Sequence, residues 1–255
     1  MKPFLLLATR AEDAAADEEY EAFLRFSGLD ERDLRRHRLE RTPLGDVDLG
    51  DWSGVLLGGG PFNVSDPPAV KSPVQHRVES ELHDLIGRIV ETDFPFLGAC
   101  YGIGTLGGHQ GGVIDRTYSE PVGAVDVTVV APDPIFAGVP ETFEAFVGHK
   151  EAIRVLPDHA VLLARSETCP VQAFRIGRNV YATQFHPELD ADGLATRVDV
   201  YKYAGYFAPE EADEVKALAY ASDVKYPPAV LQGFIAKAQS VSRARSSAPR
   251  SASRG

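Results

Sequence analysis

Two short apolar runs, SGVLLGGGPFNV at 53–64 and DFPFLGAC at 93–100, each break off at glycine or beside it, and 73–91 lies between them. In that segment Val74, Val78, Leu82, Leu85, Ile86 and Ile89 recur at helical spacing. A third apolar run, Phe4 to Ala8, opens the chain. Apolar runs this short and continuous are expected of strands buried on both faces. Asp17 to Ser27 reads as a helix stopped by Gly28, and YGIGTLGGHQ opens another after the third strand. Strand, helix, strand, helix is the pattern of a parallel sheet with helices on both faces.

The texture changes from 113 to 186. GAVDVTVV, ETFEAFVGH, AVLLARS, PVQAFRIG and NVYATQFHPE are short strands separated by turn residues, with IGRN as a hairpin turn. These predict antiparallel additions to the parallel core. Helical patterns follow at 190–205, 209–222 and 227–239. The expected organisation is an α/β domain over 1–190, a helical extension over 191–240 packed on it, and a disordered Ser/Arg/Ala-rich tail over 241–255. The helical segment 195–240, in which YKYAGYF exposes several aromatics, is read as a cap on the sheet, with a docking surface as the alternative.

Composition narrows the function classes. The chain has 255 residues, 44% of them hydrophobic, and a formal net charge of −11. That charge argues against nucleic acid or an anionic membrane as the main partner. Two cysteines, Cys100 and Cys169, make no disulfide framework and point to a reducing, cytoplasmic setting. The first residues read as a strand and not as a signal peptide, and no run approaches the length of a membrane helix. No CxxC, HExxH or P-loop occurs, so neither a metal nor another cofactor is expected. GIGTLGG is only loosely like a dinucleotide loop, and that reading is rejected.

The chemistry gathers at GACYG, residues 98 to 102. Gly-x-nucleophile-x-Gly fits a strand-to-helix turn that holds its central residue strained at the top of a sheet. Cys100 at a helix N-terminus is expected to have a lowered thiol pKa, and the Tyr101 N–H to point where an oxyanion forms. A cysteine nucleophile needs a base and a group to orient it. YATQFHPELD supplies His186 and Glu188, two residues apart in an extended segment, so both point the same way. Gly58, Gly59 and Gly60 end a buried strand, and their bare N–H groups suit the second half of an oxyanion hole. Cys169 reads as a core cysteine and His109 as a surface residue. A buried structural cysteine remains the alternative at Cys100.

Together, GGGP, PFLGACYG and QFHPE, in that order, resemble the class I (triad) glutamine amidotransferases over about residues 1–190. The texture is similar to stand-alone GMP-synthase-like glutamine amidotransferase domain proteins. FVGHKEAI, at 146–153, echoes the family's Ser-His-x-Asp segment, with Gly148 and Glu151 in place of serine and aspartate. The resemblance implies a three-layer, flavodoxin-like open sheet, mostly parallel with antiparallel additions. It implies that Cys100 attacks the glutamine carboxamide, that His186 is the acid/base and that Glu188 orients it. The oxyanion would sit between the N–H groups of Tyr101 and Gly59 or Gly60. Gly58, Gly104, His149 and Gln184 would contact the substrate. Ammonia would pass to a synthetase partner, since 190–255 carries no nucleotide motif.

One departure touches the substrate. The family commonly continues after the cysteine as x-Gly-His-Gln, whereas Ile103 and Gly104 occupy the His and Gln positions here. Two further readings therefore stand beside the glutaminase. One is a γ-glutamyl hydrolase acting on another γ-glutamyl amide. The other is a non-catalytic regulatory protein that keeps the fold.

Overall fold

A computed structural model describes residues 2–247 of the chain. Its first half contains β1 (Phe4–Ala8), α1 (Asp13–Ser27), β2 (Leu34–Arg38), β3 (Gly54–Leu57), α2 (Pro73–Glu91), β4 (Phe96–Ala99) and α3 (Tyr101–His109). Then come β5 (Val113–Asp115), β6 (Glu120–Val129), β7 (Thr142–His149), β8 (Ala152–Val155), β9 (Val161–Arg165), β10 (Ala173–Ile176) and β11 (Val180–Thr183). Three helices close the series: α4 (Ala191–Val200), α5 (Ala212–Ala221) and α6 (Pro227–Ser247).

Nine strands form one sheet in the order β2-β1-β3-β4-β11-β10-β9-β6-β7, and β5 and β8 pair separately. The strands β2, β1, β3, β4 and β11 are mutually parallel. From β11 outward, β10, β9, β6 and β7 are each antiparallel to the neighbour before. The mostly parallel α/β sheet with antiparallel additions is therefore the observed fold. IGRN is the β10–β11 turn, with Gly177 at φ 57°.

Side-chain alternation along β1 shows how the layers are held. Phe4 and Leu6 face a cluster that includes Phe23 of α1 and Val230, Phe234 and Ile235 of α6. Leu5 and Leu7 face Val78, Leu82 and Leu85 of α2 and Leu106 of α3. Each fully buried side chain of this size contributes about 1.5–3 kcal/mol relative to exposure. The α2 bounds follow from its ends: Ser72 Oγ accepts the Gln75 N–H at 3.1 Å, Pro73 occupies the first turn, and Thr92 caps the C-terminus.

Two expectations need correction. The edge strand β2, LRRHR, carries no apolar run, and neither it nor the separate β5–β8 pair was expected. Leu34 is buried on the face that α1 covers, and Arg36 and Arg38, on that same face, reach Asp17 and Asp13 of α1 at 2.8 and 2.5 Å. The α6 helix packs in the same layer as α1. The tail expected to be disordered from 241 is helical to Ser247: Arg245 donates to the Thr92 and Asp93 carbonyls and lies over the Phe94 ring. Residues 248–255 of that expected tail lie outside the described residues. Among the described residues no helix is long and apolar enough to cross a membrane.

Candidate active site

Parallel pairing brings the carboxyl ends of β1, β3, β4 and β11 to one edge of the sheet. The loops leaving those ends carry Arg10, Gly58–Gly60, Cys100 and His186–Glu188 respectively. Crevices at the carboxyl ends of strands are where open α/β sheets bind ligands.

Cys100 joins β4 to α3 with φ 52° and ψ −92°, a conformation that costs a non-glycine residue about 1–3 kcal/mol. Its N–H is held by the Thr183 carbonyl of β11 at 2.8 Å. The turn is tight: a Cβ on Gly98 would lie 2.8 Å from the Gly102 Cα. Gly98 is therefore required by close approach. The thiol differs from the expectation. Burial pushes it up to about 12, against the pull of Arg10 and Arg197, so the helix N-terminus does not decide its charge.

His186 donates its backbone N–H to the Phe146 carbonyl at 3.1 Å, which moves the chain off β11 and beside β7. Its Nδ1 lies 2.8 Å from Glu188 Oε1. Burial would raise the Glu188 carboxyl, but His186, by charge and hydrogen bond, and Arg197 hold it well below the usual carboxylate range. Burial lowers the His186 imidazole; Glu188 opposes this, while Arg197 and Arg10 add to it. An ionised carboxylate on Nδ1 leaves Nε2 as the free basic nitrogen. Gly59 lies against that ring: a Cβ there would meet His186 Cε1 at 2.5 Å.

Cys100 and His186 line one cavity of about 50 Å3, room for a few water molecules. Gly60 and Gly148 form part of its wall, and Tyr201, Tyr206 and Phe207 roof it. The YKYAGYF segment is thus a strap across the cavity that Cys100 lines. Lys150 fastens it, donating to the Ala204 carbonyl at 2.6 Å with its ammonium 4.4 Å from the Tyr206 ring centre. The N–H groups of Gly59 and Gly60 have no hydrogen-bond partner among the described residues. The Tyr101 N–H sits in the first turn of α3, where helices leave donors free.

Four residues expected to touch substrate do not line the cavity. Gly58 faces Glu19, whose carboxylate lies 2.6 Å from where its Cβ would be. Gly104 faces the Glu151 carboxylate, which accepts the Val64 and Ser65 N–H groups at 2.8 and 2.7 Å. His149 is buried, with Nε2 2.7 Å from Glu120 Oε2 and Nδ1 2.8 Å from the Glu151 carbonyl. Gln184 is buried beside β10, its N–H on the Gln172 carbonyl at 2.8 Å. Two cavity-lining arginines, Arg10 and Arg197, were missed. Arg10 follows a strand at its carboxyl end, a signal that was available. Arg197 sits mid-helix and reaches the site only through the packing of α4 on α1.

An α/β sheet that presents a strained cysteine and a histidine–carboxylate pair at adjacent strand ends defines a class of proteins built around a cysteine elbow. Residues 35–198 match the sequence profile described as Glutamine amidotransferase class-I. The chain belongs to that family. It is 29% identical over 149 residues to a glutamine-hydrolyzing GMP synthase subunit of Pyrococcus abyssi, covering 58% of this chain and 72% of that protein. Its identity to the same-named protein of Picrophilus torridus is 31% over 151 residues, covering 57% and 72%. In three dimensions it is similar to a glutamine amidotransferase from Thermotoga maritima, with a TM-score of 0.73 and 20% identity, covering 94% of this chain and 99% of that one.

Proposed function

We propose that this chain hydrolyses the side-chain carboxamide of glutamine and passes the ammonia to a separate synthetase partner. The observation that carries the reading is the placement of Cys100, on its strained elbow, in one cavity with His186, whose Nδ1 lies 2.8 Å from Glu188. The Cys100 thiol gives its proton to His186 Nε2 as Sγ attacks the carboxamide carbon. Oxyanion charge develops between the Tyr101 N–H and that of Gly59 or Gly60. His186 returns the proton to the leaving nitrogen, the C–N bond breaks, and ammonia leaves a γ-glutamyl thioester. Water, losing a proton to His186, attacks the thioester; the C–S bond breaks, giving glutamate and restoring the thiol. Glu188 keeps the proton of the neutral ring on Nδ1. A thiol that burial holds neutral suits this sequence, because its proton leaves only when substrate is in place.

Relatives named as subunits of a glutamine-hydrolyzing synthase support the partner. Gly104 and Glu151, in place of the family's substrate-side glutamine and aspartate, favour a second reading: a γ-glutamyl amide other than glutamine. The test is release of ammonia and glutamate from glutamine, beside release of p-nitroaniline from γ-glutamyl-p-nitroanilide, by the full chain and by Cys100→Ala. Cys100-dependent ammonia supports the glutaminase. Release from the anilide alone replaces glutamine with another γ-glutamyl amide. Release from neither, by a folded chain, sinks both.

A further inference from the structure

Glu188 Oε1 is used twice. It lies 2.8 Å from His186 Nδ1, and the same oxygen accepts the Arg197 Nη2–H at 3.1 Å. The other guanidinium nitrogen, Nη1, is 3.1 Å from His186 Nδ1 itself. Arg197 is buried, and its third nitrogen, Nε, faces Glu18 Oε2 of α1 at 3.4 Å. The guanidinium therefore lies in the crook of the His186–Glu188 hydrogen bond, with α1 behind it in ion-pair contact but not hydrogen-bonded to Nε. Glu188 Oε2 has no hydrogen-bond partner among the described residues, so Oε1 carries the whole attachment.

We infer that Arg197 is a positioning residue that fixes Glu188 against His186 and keeps the imidazole neutral at working pH. The inference rests on the proposed role of His186 as the acid/base. A buried carboxylate with one bonded oxygen is free to rotate about its last bond. A fork donor on that oxygen removes the freedom, and arginine's rigid plane does this better than a lysine ammonium. The charge also acts directly: a cation 3.1 Å from Nδ1 disfavours a second proton on the ring. Other charges face His186 as well. Glu188 opposes Arg197, and Arg10 reinforces it. Arg10 is itself held by Glu19, Nε to Oε1 at 2.9 Å, so its charge is partly spent on α1. Glu18 and Glu19 lie behind the two arginines, and the Cys100 thiol, held neutral by burial, shares the cavity. Of the two arginines, Arg197 is the one that contacts both members of the pair.

The test is a pH titration of the His186 ring nitrogens by NMR in the full chain, with the signal assigned by its loss in His186→Gln. It needs no substrate. Arg197→Met should raise the His186 midpoint by about one pH unit, and Arg197→Lys should restore most of the difference. In turnover, Arg197→Met should lower kcat about tenfold with KM little changed, and move the acid limb of the rate profile to higher pH. An unchanged His186 midpoint in a folded Arg197→Met chain overturns the inference. If that variant does not fold, Arg197→Gln, which keeps a donor for Oε1 without the charge, carries the same expectation and the same refutation. A chain without turnover whose His186 midpoint still moves with Arg197 would overturn the glutaminase and leave this inference standing.

Discussion

The Glu151 carboxylate stands 2.9 Å from the point where a side chain at Gly104 would begin. The two positions are one exchange. Where the resemblance leads one to expect a substrate-side glutamine on α3, there is only a hydrogen, and a carboxylate from the β7–β8 turn fills the space. Glu151 spends both oxygens on the Val64 and Ser65 N–H groups, so it anchors the loop that follows the glycine triplet.

Restoring the glutamine therefore fails by itself. Gly104→Gln should displace Glu151 and destabilise the chain by about 1–3 kcal/mol, the cost of crowding and of two stranded N–H groups. Pairing it with Glu151→Ala should recover part of the crowding cost. Urea denaturation of the single and double variants checks this, and simple additivity of the two losses would refute the exchange.

Gly59 and His186 share a boundary in the same way. A methyl at 59 would sit 2.5 Å from His186 Cε1 and 2.9 Å from an Arg10 nitrogen. Gly59→Ala should cut glutaminase activity about 100-fold or more by moving the base, with a far smaller effect on urea stability. Wild-type turnover in this variant would mean the ring is not where the reaction needs it.

The elbow strain at Cys100 predicts an inverted order of stability. Cys100→Ala and Cys100→Gly should both abolish turnover. Glycine meets no Cβ penalty at φ 52°, so Cys100→Gly should be the more stable of the two by about 1 kcal/mol. Ordinarily glycine is the destabilising choice. Denaturation midpoints decide the sign.

Stability should fall at both ends of the pH scale. The Glu188 carboxyl is lower when folded, so its contribution is present above the ordinary carboxylate range, about 4.3, and lost as pH falls. His186 is also lower when folded; the unfolded chain takes up that proton first, below about 6.5, which adds to the acid loss. At the other end, burial holds both thiols, Cys100 and Cys169, up to about 12, so each contributes part of the alkaline limb. Each unfolded thiol ionises near about 8.5, so stability declines above that pH. Cys169→Ala should flatten the alkaline limb in part. Urea midpoints measured across pH test each limb separately.

The roof is the last expectation. Tyr206 lies over the cavity that Cys100 lines, held by Lys150. Lys150→Ala should loosen the strap and speed alkylation of Cys100 by iodoacetamide several-fold at neutral pH. An unchanged rate would show that access does not run past Tyr206.

Much of this was readable along the chain. The run Phe4–Ala8, the helix over 73–91 and the GACYG turn each obey a local rule: continuous apolarity, a helical period, and glycines flanking a strained residue. His186 and Glu188 were readable as a pair because their spacing is local. The strand β2 was not, because an edge strand has little apolar surface to declare. Gly58, Gly104, His149 and Gln184 were assigned to substrate contact by position in a motif; none of them lines the cavity that holds Cys100 and His186.

By itself, then, the sequence determined which residues sit at strand ends and which pairs lie within a few positions of each other. Only the tertiary structure decided what those residues meet. Arg197 comes from α4, Arg10 from the end of β1, and Glu18 and Glu19 from α1; no spacing links them to Cys100. Strands β1, β3, β4 and β11 bring them together because parallel pairing through crossover connections sets their carboxyl ends on one edge of the sheet. The charge state of the site follows from the same event, since burial shifts the thiol and the imidazole more than any neighbour does, and burial is a property of the packed chain.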